Sequence, residues 1–210
     1  MRASSVGKRF AMVVRLVACV ALLAQTIVAP AQTASGSIDA EWHVASFSGR
    51  VSMERVNRST EEMAEGRNAP MWTGEKIVSM ETGQASIQGP DGVQIRIREH
   101  VKLRRADSSV WDVESGLAGF RFEPASGDPP VNQIITPWAK VEFRTGIVIV
   151  KVAPYLTRVA VLKGTAEVTG QGSVKRTLTA KQECAAVPSA IAEAMGAARK
   201  RSSAASSPSR

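Results

Sequence analysis

The sequence is poor in the residues from which active sites are built. Its 210 residues include two cysteines, two histidines and one tyrosine. It contains no Cys-x-x-Cys pair, no His-Glu-x-x-His and no Gly-x-Ser-x-Gly. Gly89-Pro90-Asp91-Gly92 is a turn, with proline fixing φ and glycine free to take positive φ, and not a phosphate loop. His43 and His100 are far apart, and a metal would need partners that the sequence does not group with them. The acidic residues are scattered, so a carboxylate pair would have to be made by folding. The reading is a protein that is not an enzyme and needs no cofactor or metal.

Cysteine is too scarce for a disulfide framework. Cys19 lies in an N-terminal apolar stretch, and Cys184 is alone in the rest of the chain. We read Cys184 as a small, partly buried residue at a strand end, against the alternative of a reactive thiol or a link between chains. Acidic residues are missing from both ends. The first 31 residues carry Arg2, Lys8, Arg9 and Arg15 with no acid, and residues 199–210 carry Arg199, Lys200, Arg201 and Arg210 with none. With these eight set aside, nineteen basic residues face nineteen acidic ones over residues 32–198, so the formal charge of +8 sits at the termini. A nucleic-acid-binding domain would carry its positive excess on its own surface. Nucleic acid is therefore not an expected partner.

The longest clean apolar run is short. Residues 16–24 form a nine-residue core behind a basic start, followed by Ala29-Pro30-Ala31. This is the layout of a secretory signal, and the run is too short to span a bilayer alone. We place cleavage between Ala31 and Gln32, which leaves a mature chain with no membrane span, periplasmic or secreted. Two readings stand against it. Leu16-Val17-Ala18-Cys19 resembles a lipoprotein box, though Arg15 precedes it and the apolar run continues past Cys19. The segment would otherwise stay as an uncleaved anchor with Arg15 snorkelling.

After a small, polar linker, alternating apolar and polar residues begin near Trp42 and continue to about residue 184. Val93, Ile95 and Ile97 alternate with Gln94, Arg96 and Arg98, the pattern of a half-buried strand. The continuous apolar run over residues 147–150 predicts a strand covered on both faces. Ser59-Thr60-Glu61-Glu62 reads as the cap of a short helical turn inside a long surface loop, residues 58–70. Turn signals every 8–12 residues or so point to a sandwich, barrel or β-solenoid. The fold class is therefore all-β with many short strands, and the pattern alone leaves sandwich, barrel and β-solenoid open. A short C-terminal helix is expected over residues 188–200, and a Ser-rich tail after it.

One patterned surface stands out. Arg96, Arg98, His100, Lys102 and Arg104 fall at spacing two, and an unbroken strand would project all five from one face. They form a candidate strip for an anionic partner such as lipid phosphates, acidic glycans or an acidic protein patch. The competing reading is a solvated strand face that guards an edge. Glu99 would point inward on a straight strand, so a bend near Glu99-His100 is expected, and it would split the strip. Trp42, Trp72, Trp111 and Trp138 would stack on sugars if exposed in a row, but read more naturally as core and domain-end residues.

An ordered set of motifs over residues 47–184 resembles the FecR-like domain family. It begins at Gly49-Arg50-Val51 and continues with Trp72-Thr73-Gly74-Glu75-Lys76-Ile77-Val78. Gln84-Ala85-Ser86-Ile87 then runs into Asp91-Gly92-Val93-Gln94-Ile95. Val113-Glu114-Ser115-Gly116-Leu117, Ile135-Thr136-Pro137-Trp138-Ala139 and the stretch from Thr157 to Val168 complete it. Arg144-Thr145-Gly146 and Ala180-Lys181-Gln182 depart from the family's common Arg-Gly-Thr and Ala-Gly-Gln. The resemblance implies an all-β fold of many short strands, β-solenoid-like or β-sandwich, and a place in the cell envelope. Signalling members carry a cytoplasmic anti-sigma segment before the membrane and a further α/β module after the β domain. Neither is expected here, so iron-uptake signalling is not carried over. The expected organisation is a signal at 1–31, a linker and first strand at 32–46, the FecR-like β domain at 47–184, and a helix and basic tail at 185–210. The expected role is a non-enzymatic binding, scaffold or signalling-related module with an envelope protein or polysaccharide partner. The alternative is a binder of envelope glycans or anionic ligands.

Overall fold

In the computed structural model, residues 42–57, 59–64, 68–124, 127–191 and 193 are described. The expected signal, its cleavage site Ala31/Gln32, most of the linker and the tail lie outside them. The strands are β1 His43–Ser48, β2 Val51–Glu54, β3 Thr60–Glu62, β4 Ala69–Pro70, β5 Lys76–Ser79, β6 Gln84–Gln88, β7 Gln94–Ile97, β8 Lys102–Arg105, β9 Val110–Phe122, β10 Asn132–Ile135, β11 Ala139–Ala153, β12 Leu156–Gly170, β13 Lys175–Thr179 and β14 Gln182–Ala186. A short helix starts at Ser189, and among the described residues no helix is long and apolar enough to cross a membrane.

Among the described residues, all fourteen strands belong to one hydrogen-bonded sheet that does not close on itself, and it is folded over. The pairing divides it into two layers. In the first, the ladder runs β13, β12, β11, β10, β9, β8, β5, β2, β3, using the 165–169, 139–143 and 110–115 parts of the long strands. In the second it runs β14, β12, β11, β9, β7, β6, β1, β4, using residues 157–161, 146–153 and 116–122. Strands β9, β11 and β12 thus pass from one layer to the other.

The burial pattern marks where they turn. In β9 the buried positions shift from odd (Trp111, Val113) to even (Ala118, Phe120, Phe122). In β11 they shift from odd (Val141, Phe143) to even (Gly146, Val148, Val150), and in β12 from Val159 and Val161 to Ala166 and Val168. An extra residue at a bend switches the face that points inward, so the same side of the sheet still meets the core after the corner. Glycines make these bends. Gly146 has φ +127, and a Cβ there would lie 2.1 Å from the Lys163 carbonyl oxygen. A Cβ on Gly116, at φ +88, would lie 2.7 Å from the His100 carbonyl oxygen. The other strands change layer through loops in the same row. The corner between β7 and β8 bonds through Arg98 N–H to the Leu117 carbonyl, and Ser79 N–H bonds to the Val101 carbonyl.

The layers enclose one core. Trp42 packs edge-on against Trp111 with ring centroids 4.6 Å apart, and Phe122 against Phe143 at 5.2 Å. This is how the motif glycines and alternating apolar residues come to specify a solenoid-like sandwich.

Two local expectations are corrected. Residues 60–62 are not helical: they form β3, paired antiparallel with β2. The Asn57 side chain accepts the Ser59 N–H at 3.0 Å, and Arg55 N–H bonds to the Ser59 carbonyl, which closes a tight turn instead of capping a helix. Nor is the run 147–150 covered on both faces. Val148 and Val150 are buried, whereas Ile147 and Ile149 point outward and are only partly buried.

Candidate interaction face

The five residues of the basic strip are placed on both layers. Arg96 and Arg98 lie on or just after β7 in the second layer, and Lys102 and Arg104 lie on β8 in the first. His100 sits in the corner between them at φ +58, where its carbonyl accepts the Ser115 hydroxyl at 3.0 Å. The strip is therefore cut at Glu99-His100. Its two halves join different neighbours on the outer faces of the two layers.

The outer face of the first layer is laced with ion pairs. Lys76 bridges Glu54 at 3.8 Å and Glu114 at 2.7 Å, Lys140 meets Glu142 at 2.9 Å, and Lys175 meets Glu167 at 2.6 Å. Arg104 pairs with Asp112 directly across the ladder. The Glu167 carboxylate raises the Lys175 ammonium pKa above its ordinary value.

The outer face of the second layer is different. Strand register aligns Arg96, Gly119, Ile149 and Ala160 in one row. In the next row, Leu117, Lys151 and Arg158 are neighbours; in the row on the other side, Arg121, Ile147 and Lys163 are. The centre is apolar: Leu117, Ile147, Ile149 and Ala160 are partly buried, and nothing lies within 4 Å of where a Gly119 Cβ would be. Around it stand six cations, Arg96, Arg98, Arg121, Lys151, Arg158 and Lys163. Among the outward positions of these strands the one carboxylate is Glu183, opposite Ala160. Glu123, just past β9, meets Lys163 at 2.6 Å and Arg121 at 2.5 Å. Lys163 foremost, then Arg121, pulls its carboxyl below the ordinary range against the opposing effect of partial burial. Arg98 donates to Gln84 Oε1 at 3.1 Å. Among the described residues, Lys151 and Arg158 have no carboxylate within ion-pair distance.

Sequence reading found Arg96 and Arg98 but missed Arg121, Lys151, Arg158 and Lys163. Each is an outward position of an alternating strand, and their parity is legible. What makes them neighbours is strand pairing across dozens of residues.

The tryptophans form no exposed row. Trp42 and Trp111 are core residues, and Trp138 is half-buried with its indole N–H donating to the Ala153 carbonyl. Trp72 is 48% exposed. It is fixed from below by Glu75, whose buried carboxylate accepts the Trp72 N–H at 2.8 Å and Arg55 Nη1 at 3.0 Å. Burial works against the charge on Arg55, but Glu61 and Glu75 outweigh it and hold the guanidinium pKa above its ordinary value. Cys184 points inward opposite Val159 and packs against the core. Burial raises its thiol pKa first; Arg176 lowers it and Glu183 raises it. Among the described residues no group of three His, Cys, Asp or Glu side chains is placed to hold a metal.

No protein-family model matches the sequence, and no curated protein matches it. Two crystal structures of a protein from Parabacteroides distasonis ATCC 8503, provisionally described as an anti-sigma factor, match the fold with TM-score 0.47. Their sequences are 17% and 18% identical to this one. The chain spans about half their length: each match covers 54% of this chain and 55% of that one.

Proposed function

We propose that the chain is an exported, FecR-like β module of the cell envelope that binds a partner and performs no chemistry, and that the outer face of its second layer is the binding surface. One observation carries this reading: a partly exposed apolar centre ringed by six cations on one side of a domain whose other side pairs Lys76, Arg104, Lys140 and Lys175 with its own carboxylates and leaves Lys102 without one among the described residues. Exposed apolar patches with a polar rim mark interaction sites on soluble domains. The N-terminal signal pattern supports export, and the ordered motifs support the family reading.

The test is site-specific photo-crosslinking in cells. A crosslinker at residue 119 should capture an envelope component, and one at residue 140 on the opposite face should not. The mature N-terminus should be Gln32 in the periplasmic fraction. Equal capture from both positions, or none above an unrelated exported control, would sink the reading. An acidic glycan is the second reading, favoured by the cation ring alone, and would appear as capture released by polysaccharide lyase.

A further inference from the structure

The occupant of this face can be argued from its shape and charge, given the proposal that the face binds. A second copy of the chain is disfavoured, because apposing two such faces would bring twelve cations together. A globular protein partner would normally find several aromatic anchors near the centre of the contact; the outward positions of β7, β9, β11 and β12 in this layer carry none, and Tyr155, exposed in the β11–β12 turn, stands at the layer's edge. What remains is planar. From Arg158 on β12 to Arg96 on β7 the face crosses four adjacent strands, roughly 14 Å at the usual strand spacing. The face offers distributed positive charge at its rim and an apolar middle level with it. The chain outside the described residues adds to this: β14, the edge strand of the same layer, leads into a segment whose last twelve residues hold four cations and no acid.

We propose that the second layer lies flat on an anionic membrane surface, with Arg96, Arg98, Lys151 and Arg158 contacting lipid phosphates and the Ile147–Ile149 patch resting at headgroup level. The binding is peripheral: the patch side chains are partly buried between the strands, and Tyr155 in the β11–β12 turn is a single aromatic that would reach the headgroup level.

The test uses residues 39–210, a single compact unit with its own core. Co-sedimentation is measured with vesicles of pure phosphatidylcholine and with vesicles in which part of it is replaced by phosphatidylglycerol. Binding should require the anionic lipid and weaken steeply with salt. At roughly 1 kcal/mol per basic residue near an anionic surface, K151S/R158S should lower vesicle affinity about 30-fold. K102S/K175S removes the same charge from the opposite face and should change it by less than about 2-fold. Unchanged melting temperatures would establish that both variants fold. Heparin and a polyglutamate peptide serve as soluble polyanions. If these depend on Lys151 and Arg158 while vesicles do not bind, the membrane inference is overturned and the face remains a binding surface. If no probe distinguishes the two double variants, both readings fall.

Discussion

The two outer faces of this sandwich share the three long strands β9, β11 and β12 and differ in what their cations do. On the first layer, Lys76, Arg104, Lys140 and Lys175 each have a carboxylate beside them. There Arg104 and Asp112, Lys175 and Glu167, and Lys76 and Glu54 meet across strands, as cross-strand pairs of opposite sign do, and Lys140 meets Glu142 two residues along β11. On the second layer, the cations surround an apolar patch, and Lys151 and Arg158 have no such partner among the described residues. Cross-strand pairing stabilises a sheet modestly, whereas unpaired like charges cost something and persist more readily where a partner uses them. On the proposed reading, the neutral face is structure and the cationic face is the binding surface.

The comparison depends on the bends that separate the faces, and the largest expected effect is there. Gly146→Ala forces a Cβ into the Lys163 carbonyl at positive φ, and should cost about 3 kcal/mol or more in urea unfolding. Gly119→Ala, on the cationic face with open space above it, should be neutral or stabilising by about 0.5 kcal/mol. Equal losses at the two sites would mean that the bend is not where the parity shift locates it.

A smaller difference should separate single cations. Arg104→Ser leaves Asp112 without its partner; this pair is about half-exposed on the arginine side, so the loss should be roughly 0.5–1 kcal/mol. Arg158→Ser should change stability by less than about 0.5 kcal/mol in either direction. The same loss for both would erase the distinction between structural and available charge.

Glu123 sharpens the comparison from within the cationic face, since it neutralises Lys163 and Arg121. Glu123→Gln should tighten binding to anionic vesicles about 5-fold, the equivalent of one released charge. The pH dependence follows from its lowered pKa. The stability Glu123 contributes is present above the ordinary carboxylate range and is lost as pH falls through the depressed value. Anion binding should tighten through that same acidic window. Smallest of all, Cys184 should react slowly with alkylating reagents at neutral pH, because burial raises its thiol pKa.

Much of the fold was legible from residues 84–98 and 110–168, where alternation and turn glycines give strands, bends and the all-β class. The break at Glu99-His100 was readable because Glu99 has the wrong parity for a straight strand. Ser59 and Glu62 carry a helix-cap spacing, but pairing of residues 60–62 with β2 overrides that local preference. The composition of the run 147–150 predicts cover on both faces, yet its outward half is the apolar centre of the cationic face. A continuous apolar run tells that both faces want cover, and it does not tell whether the chain itself supplies it. The face as a whole was hidden for another reason: Arg96, Gly119, Ile149 and Arg158 come together through long-range register, which no local window contains.

The central claim is that one face is covered by an anionic partner and the other is not. A polarity-sensitive fluorophore attached through Gly119→Cys or Lys140→Cys, each in a Cys184→Ser background, tests it most directly. On adding phosphatidylglycerol vesicles, the label at residue 119 should shift to the blue and become shielded from a soluble quencher, and the label at residue 140 should keep its spectrum in water. Equal responses at both positions, or a response at residue 140 alone, would contradict the account.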